Sequence, residues 1–492
     1  MSCTRWQRLP GGACAEMVSY TRREQDPQRH LDLPSAHVHS TWDQSGRGWH
    51  VLTAPCAFST LPLPFADAYN TVGLSVSIPW PVRRKGSAHA KLLGVRHPME
   101  IGERLHEADD LKPALVELRR AIHRRPELGF RETETARLVA ETLSSLGLKV
   151  ETGVGKTGVV GHLGNEGPTI AIRADMDALP IREQNDVPYA SQVPGVMHAC
   201  GHDAHTAMVL GAAMLLCRTE LPGRVRFLFQ PCEEGTDDQG KSGAMRMVDD
   251  GAMNGVDAVI ALHVEPRTET GRIKVGGGPM CAAADVFRAT IVGDGCHGAF
   301  PHLGIDPVFV SAQVISALQG IVARRLDPTA PAVVTVGSIH GGTAGNIIPG
   351  EVQLKGTIRS LDEDVRRRMW AELRNTFGLS RTLGGDFQLE MEEGFPVLVN
   401  DLAMAALIGE VAADLLGVDN VLPAQPEMGA EDFSILADQA PGAMFFLGVK
   451  SPHSERSLQL HSADFDLDEN ALPIGAAILA EAARRYLQEA GL

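Results

Sequence analysis

Met197-His198-Ala199-Cys200-Gly201-His202-Asp203-Ala204-His205 packs three histidines, a cysteine and an aspartate into nine positions. Imidazole, thiolate and carboxylate are the side chains that bind transition metals. Pro194-Gly195 makes a turn before the stretch, and the small apolar run at 206–213 after it reads as a helix. The stretch is therefore a loop feeding a helix N-terminus, where side chains converge on a cleft. The plain alternative is a hydrophilic loop with ordinary surface histidines. It is disfavoured because further ligand types recur downstream, each closing a strand-like run.

Those runs are short, apolar and rich in β-formers. Residues 169–174 lead into Asp175-Met176-Asp177, residues 224–229 lead into Gln230-Pro231-Cys232-Glu233-Glu234-Gly235, and residues 257–262 end at His263. Helical spacing at 111–125, 133–146 and 242–250 alternates with them, which predicts an α/β fold. In such sheets functional groups gather at the carboxyl ends of parallel strands. Between about 283 and 393 the order becomes strand, helix, strand, strand, helix, strand. That is the βαββαβ pattern of a ferredoxin-like unit, inserted into the first domain. The first domain resumes with a helix at 402–416, a strand at 443–447, the loop Leu460-His461-Ser462-Ala463-Asp464 and a closing helix at 469–487. The expected organisation is one domain from 99–282 and 394–492, with 283–393 inserted.

A formal charge of -16 over 492 residues argues against a nucleic-acid-binding surface. No apolar run reads as a membrane span. The eight cysteines are scattered with no Cys-x-x-Cys pair, as expected of reduced thiols in a cytoplasmic chain. The first 98 residues have a different composition. They hold four of the five tryptophans and carry 11 Lys+Arg against 6 Asp+Glu, whereas the remainder is strongly acidic. They show no sustained helical or strand period and no secretory-signal pattern. They are expected to be a poorly ordered extension with no assigned function, upstream of a native start at Met99.

The candidate ligands are Cys200, His202, Glu234, His263 and His461. Five N, S and O donors suit two divalent ions with one shared ligand, and ligands spread along the chain favour an open catalytic site over a closed structural one. Glu233 precedes Glu234, so one carboxylate can hold metal while the other takes a proton from attacking water and passes it to a leaving amine. In the inserted segment, His297 or His302 could donate to a developing oxyanion. Asn346 and Arg359 add a polar amide and a cation suited to gripping a carboxylate.

The motifs Arg173 to Pro180, Met197 to His202, Gln230 to Gly235, Leu262-His263 and Leu460-His461 resemble the dinuclear metallo-amidohydrolases. That family includes hippurate hydrolases, indole-acetyl-amino-acid hydrolases and N-acyl-amino-acid amidohydrolases, with aminoacylase-type metallopeptidases as wider relatives. His123 to Phe130 and Glu431-Asp432-Phe433 also match. The resemblance covers roughly residue 111 to the C-terminus. It implies a Zn-peptidase-like catalytic domain with an inserted lid that also dimerises. It implies two divalent ions, Zn or Mn with Co also compatible, held by the five candidate ligands with Cys200 bridging. Glu233 would be the general base, Asp177 would support a ligand from behind, and His297 would stabilise the oxyanion, in its own or the partner subunit's site. Asn346, Arg359 and His302 would contact substrate. The implied reaction is hydrolysis of the amide bond of an N-acyl amino acid, and a dipeptidase or carboxypeptidase using the same site is the nearest rival. A binding protein that has lost turnover fits poorly with an intact ligand set beside Glu233. Cys232 stands where the family has Ala, and Gly295-Cys296-His297-Gly298-Ala299 departs from its Gly-Gly-His-Ala-Ala; neither change removes a ligand.

Overall fold

A computed structural model describes residues 101–453 and 459–491, together with four short strands upstream. The chain divides into two units, Met1–Leu93 and Gly94–Leu492. In the first, Cys3–Trp6 pairs antiparallel with Met17–Tyr20, and Ser40–Trp42 with Trp49–Val51. These pairings were not foreseen, because strands of three or four residues carry too little alternation to read. The rest of the expectation for 1–98 lies outside the described residues.

The second unit is built on an eight-stranded mixed sheet. Its order is Val421–Pro423, Ile273–Val275, Gly442–Lys450, Ala258–Glu269, Thr169–Asp175, Arg224–Gln230, Gly158–Leu163, Lys149–Val154. The middle four strands, from Gly442–Lys450 to Arg224–Gln230, run parallel. Successive side chains point to opposite faces. Ile170, Ile172, Phe227 and Phe229 thus enter one core with helices His202–Leu216 and Ala471–Ala490, while Ala171, Leu228 and Val259 enter a second core with Phe433 and Met444. Burial on both faces explains why these strands read as continuous apolar runs rather than alternating ones.

Three local expectations change. The first helix is Ile101–Arg124, starting well before 111, with Pro113 inside it. Proline lacks an N–H and usually marks a helix boundary, which hid the earlier turns. The strand expected to stop at 262 runs from Ala258 to Glu269, so His263 lies inside it. Its pairing with Thr169–Asp175 ends at Ala261, however, so His263 stands where one neighbour has just been lost. Finally, Pro307–Arg325 is long and apolar enough to cross a membrane by length and composition. Here its face bearing Val310, Val314 and Leu318 is buried among Phe287, Leu373 and Phe377, and Val308 and Phe309 remain exposed.

That helix belongs to the stretch between the two halves of the large sheet. Ala283–Val292, Ala332–His340, Glu351–Ser360 and Asp386–Phe395 form a separate four-stranded sheet. Its spatial order is Ala332–His340, Glu351–Ser360, Ala283–Val292, Asp386–Phe395, with every pair antiparallel. Pro307–Gly320 and Glu363–Phe377 supply its helices.

Candidate metal centre

The opening loop turns into its helix at Gly201, which has φ 86 and leaves no room for a side chain: an added Cβ would meet Val264 Cγ2 at 2.5 Å. This close approach brings Cys200 and His202 against the strand carrying His263. Cys200 Sγ lies 3.5 Å from His263 Nε2. Donor atoms of Cys200, His202 and His263 all lie within 4.8 Å of one another, and so do those of Cys200, Glu234 and His461. The five candidate ligands therefore form two three-donor groups that share Cys200.

The ligand imidazoles are oriented from behind. His202 Nδ1 donates to the Asp177 backbone oxygen at 2.9 Å and lies 3.2 Å from Asp177 Oδ1. Its Nε2 is buried with no hydrogen-bond partner. A buried lone pair without a donor is costly unless something electropositive meets it, so the donor set fits a divalent cation. His263 Nδ1 donates to Val264 O at 2.8 Å, which turns Nε2 toward Cys200. Asp177 Oδ2 also accepts the Glu234 N–H at 3.1 Å. His461 Nε2 is 2.9 Å from Glu234 Oε1, and the His461 N–H donates to Ala199 O. Burial pushes the Cys200 thiol well above its ordinary value, and a bound cation is what favours the thiolate.

Glu233 is buried beside these groups. Burial, then Glu431, Asp432 and Glu234, raise its carboxyl well above the usual range. Carboxylate oxygens of Glu233, Glu431 and Asp432 lie within 4.8 Å of one another. Arg173, itself fully buried, ties this crowd together. It donates to Asp175 at 2.7 Å, to Glu431 and Asp432 at 3.0 Å each, and to Gln230 at 3.0 Å. Sequence reasoning gave Arg173, Asp175, Glu431 and Asp432 no role. The signal was an arginine in an otherwise apolar run, since a buried guanidinium requires buried anions.

The other histidines of the opening stretch are not ligands of this kind. His205 uses both nitrogens: Nδ1 donates to Asp175 at 2.7 Å and Nε2 accepts the Val264 N–H at 3.0 Å. Burial lowers its pKa to about 4, keeping it a neutral strut between helix and strand. His198 is buried with both nitrogens unpartnered, and burial takes it also to about 4.

Behind the loop, Asp203 accepts from Arg119 at 2.9 Å and from His123 Nδ1 at 2.8 Å, while His123 Nε2 lies 3.2 Å from Glu183. Burial opposes charge on His123, but Asp203 and Glu183 outweigh it and raise its pKa to about 9. A free imidazole releases its proton near 6.5, so this contribution is fully present below that pH and is lost as pH rises through about 9. The expected loss is on the order of 3 kcal/mol. Denaturant titrations at intervals between pH 6 and 9.5 should show the decline in the wild type and a flatter profile in His123→Gln. Parallel profiles would refute the assignment.

The centre opens into a cleft of about 860 Å³ between the large sheet and the inserted segment, lined by Cys200, Glu233, Glu234, His263, His461, Arg359, Phe395, Met444 and Phe446. Arg359 Nη1 donates to Met428 O at 3.2 Å. His297, His302 and Asn346 do not line this cleft. They sit together on the exposed side of the inserted segment: His297 pairs with Ile347, and the Gly298 N–H donates to Asn346 O at 2.8 Å. The resemblance implies His297 for its own or the partner subunit's site; within one chain these three residues lie outside the cleft.

A sequence profile of Peptidase family M20/M25/M40 matches residues 171–485, and the chain belongs to this family. It is 42% identical over 386 residues to thermostable carboxypeptidase 2 of Saccharolobus solfataricus, covering 77% of this chain and 97% of that protein. It is 39% identical over 393 residues to IAA-amino acid hydrolase ILR1-like 4 of Arabidopsis thaliana, covering 78% and 88%. The N-acetyl-L-cysteine deacetylase of Bacillus subtilis is 39% identical over 387 residues, covering 77% and 89%. Among solved structures, the Bacillus subtilis YXEP protein, described as a dinuclear metal binding peptidase from the M20 family, superposes with a TM-score of 0.67 at 34% identity, covering 77% of this chain and 99% of that one.

Proposed function

We propose that this chain is a metal-dependent amidohydrolase that cleaves the amide bond of N-acyl amino acids, releasing a carboxylic acid and a free amino acid. The observation that carries this reading is the pair of three-donor groups sharing Cys200, with the buried Glu233 beside them in one cleft. The relatives named for indole-acetyl-amino-acid hydrolysis and N-acetyl-cysteine deacetylation support an amide substrate. The carboxypeptidase relative supports the rival reading, a dipeptidase or carboxypeptidase working at the same centre.

Cys200, His202 and His263 would hold one ion, and Cys200, Glu234 and His461 the other, with Zn or Mn as the native metal and Co a compatible substitute. When bound, such ions supply Lewis acidity that polarises the scissile carbonyl and acidifies water. Glu233 accepts the proton of the attacking water and returns it to the leaving nitrogen. Asp177 fixes His202 and the Glu234 backbone. Arg359 at the cleft wall grips the substrate carboxylate.

The segment 283–393 is assigned as a ferredoxin-like lid and dimerisation unit inserted into a catalytic domain formed by 99–282 and 394–492. Exposed Phe300, Leu303, Phe309, Ile339 and Ile347 support a homodimer through this unit. Across that dimer, His297 would reach the partner's oxyanion, with Asn346 and His302 contacting its substrate. Cys200, Cys217, Cys232, Cys281 and Cys296 are free thiols, in keeping with a cytoplasmic location.

The test is a panel of N-acetyl, N-benzoyl and indole-acyl amino acids, set against free-amino dipeptides. It uses protein stripped with chelator and refilled with Zn, Mn or Co. Release of amino acid from the acylated compounds that returns only with metal is expected. Turnover confined to the dipeptides would transfer the assignment to the rival.

A further inference from the structure

Non-glycine residues with positive φ are few among the described residues: Phe130 at 59, Lys156 at 80, Cys232 at 43 and His461 at 60. Such residues are strained and persist only where surrounding structure holds them. Three of the four surround one side chain. Glu132 is fully buried, and its Oε1 accepts both the Cys232 N–H at 2.9 Å and the Phe130 N–H at 3.0 Å. Its Oε2 accepts the Thr157 hydroxyl, next in the chain to Lys156. Lys156 closes the ring: its ammonium lies 4.4 Å from the Phe130 ring centroid and 2.6 Å from Asp237, just beyond the paired glutamates. Gly129 completes the fit, since an added Cβ would meet Cys232 Sγ at 2.5 Å.

We propose that Glu132 is a positioning residue that clamps the strained elbow at Cys232 and thereby sets the aim of Glu233 and Glu234. Cys232 immediately precedes that pair. With its N–H held by Glu132 and its carbonyl held by the Gly243 N–H at 2.9 Å, the elbow is pinned from both sides. The contacts of Glu132 are two backbone N–H groups and a hydroxyl, so what they require is an acceptor oxygen at the Oε1 position. A glutamine supplies that oxygen, and its amide N–H can donate to the Thr157 hydroxyl oxygen once the O–H rotates away. An aspartate keeps the charge but is one methylene too short to reach both N–H groups.

The inference rests on the amidohydrolase reading, and its test separates the two. Glu132→Asp and Glu132→Gln are compared with wild type for kcat, KM, melting temperature and metal content. Misplacing a reacting group by about an ångström costs roughly a hundredfold in rate. The Asp variant should therefore lose about ten- to a hundredfold in kcat with KM within about twofold, and the Gln variant should stay within about threefold of wild type. The visible spectrum of Co(II)-loaded protein, which reports on Cys200 and Glu234 without turnover, should change in the Asp variant and match wild type in the Gln variant. If the Asp variant does not fold, Thr157→Val releases Oε2 and should lower kcat severalfold. An Asp variant as fast as wild type, a Gln variant as slow as the Asp variant, or an unchanged kcat in Thr157→Val overturns the proposal. Wild type inactive on every acyl amino acid would sink the functional reading, and the Co(II) spectra would still decide the clamp.

Discussion

Glu233→Ala should lower kcat by at least about a thousandfold while the protein still binds two ions per chain, because general acid–base catalysis is worth about 10² to 10⁴ and in the proposed mechanism one group serves both transfers. The two donor groups sharing Cys200 do not include Glu233, although its carboxylate also lies within 4.8 Å of donors of His202 and Glu234; with the five candidate ligands intact, metal content should hold. Stability should move the other way. Glu233 lies buried against Glu431 and Asp432, and removing one of three crowded carboxyls relieves repulsion. The metal-free variant should gain about 1 kcal/mol, as expected where an active site is held in an unfavourable arrangement. Isothermal titration with Zn, steady-state kinetics and denaturant unfolding on the same preparation check all three. Turnover within tenfold of wild type would remove Glu233 as the base, and lost metal binding would make it a ligand instead.

Arg173→Met should destabilise the protein by about 3–5 kcal/mol, the range for removing one partner from a buried ionic cluster. The guanidinium reaches Asp175, Glu431, Asp432 and Gln230, and none of these can turn to solvent. Methionine fills much of the volume, so the loss is electrostatic rather than a cavity. Asp175 also holds His205, whose other nitrogen accepts the Val264 N–H next to His263. Metal affinity should therefore fall together with stability, through the strand rather than through a lost ligand. Arg173→Lys should recover part of the stability, since an ammonium restores charge but cannot fork to four acceptors. Chemical denaturation of the metal-free proteins measures the effect. A loss under about 1 kcal/mol would mean that the three carboxyls share protons well enough without the arginine.

How much of this was legible in the sequence depends on what each residue contacts. Cys200, His202, Glu234, His263 and His461 could be collected because ligand types stand out against apolar strands and a helix of small residues. The long strands and helices were legible from their apolar runs and periods. What escaped was whatever depends on a partner distant in the chain. Ile273–Val275 and Val421–Pro423 are too short to show a period and exist because each lies along a neighbour. Arg173 needs Glu431 and Asp432, more than 250 residues on. The left-handed residues Phe130 and Cys232 bear no glycine or asparagine to announce them. For the loop of His297, His302 and Asn346, residue types mark a polar, glycine-rich turn, but which subunit's cleft it serves depends on an assembly that no residue type announces.

The inserted segment also has a consequence for synthesis. Gly442–Lys450 lies inside the large sheet, between Ala258–Glu269 and Ile273–Val275, yet it is made after the entire insertion. At ~5–20 residues per second, the edge of Ala258–Glu269 emerges from the ribosome roughly ten to thirty seconds before the strand that covers it. During that interval a long apolar edge is open to pairing with other chains, a recognised aggregation hazard. His461 arrives later still, so the group of Cys200, Glu234 and His461 cannot be complete until nearly the whole chain exists, whereas Cys200, His202 and His263 are all made early. Metal capture at the second group is thus a late event in the life of each molecule, and it can report that the two halves of the large sheet have come together.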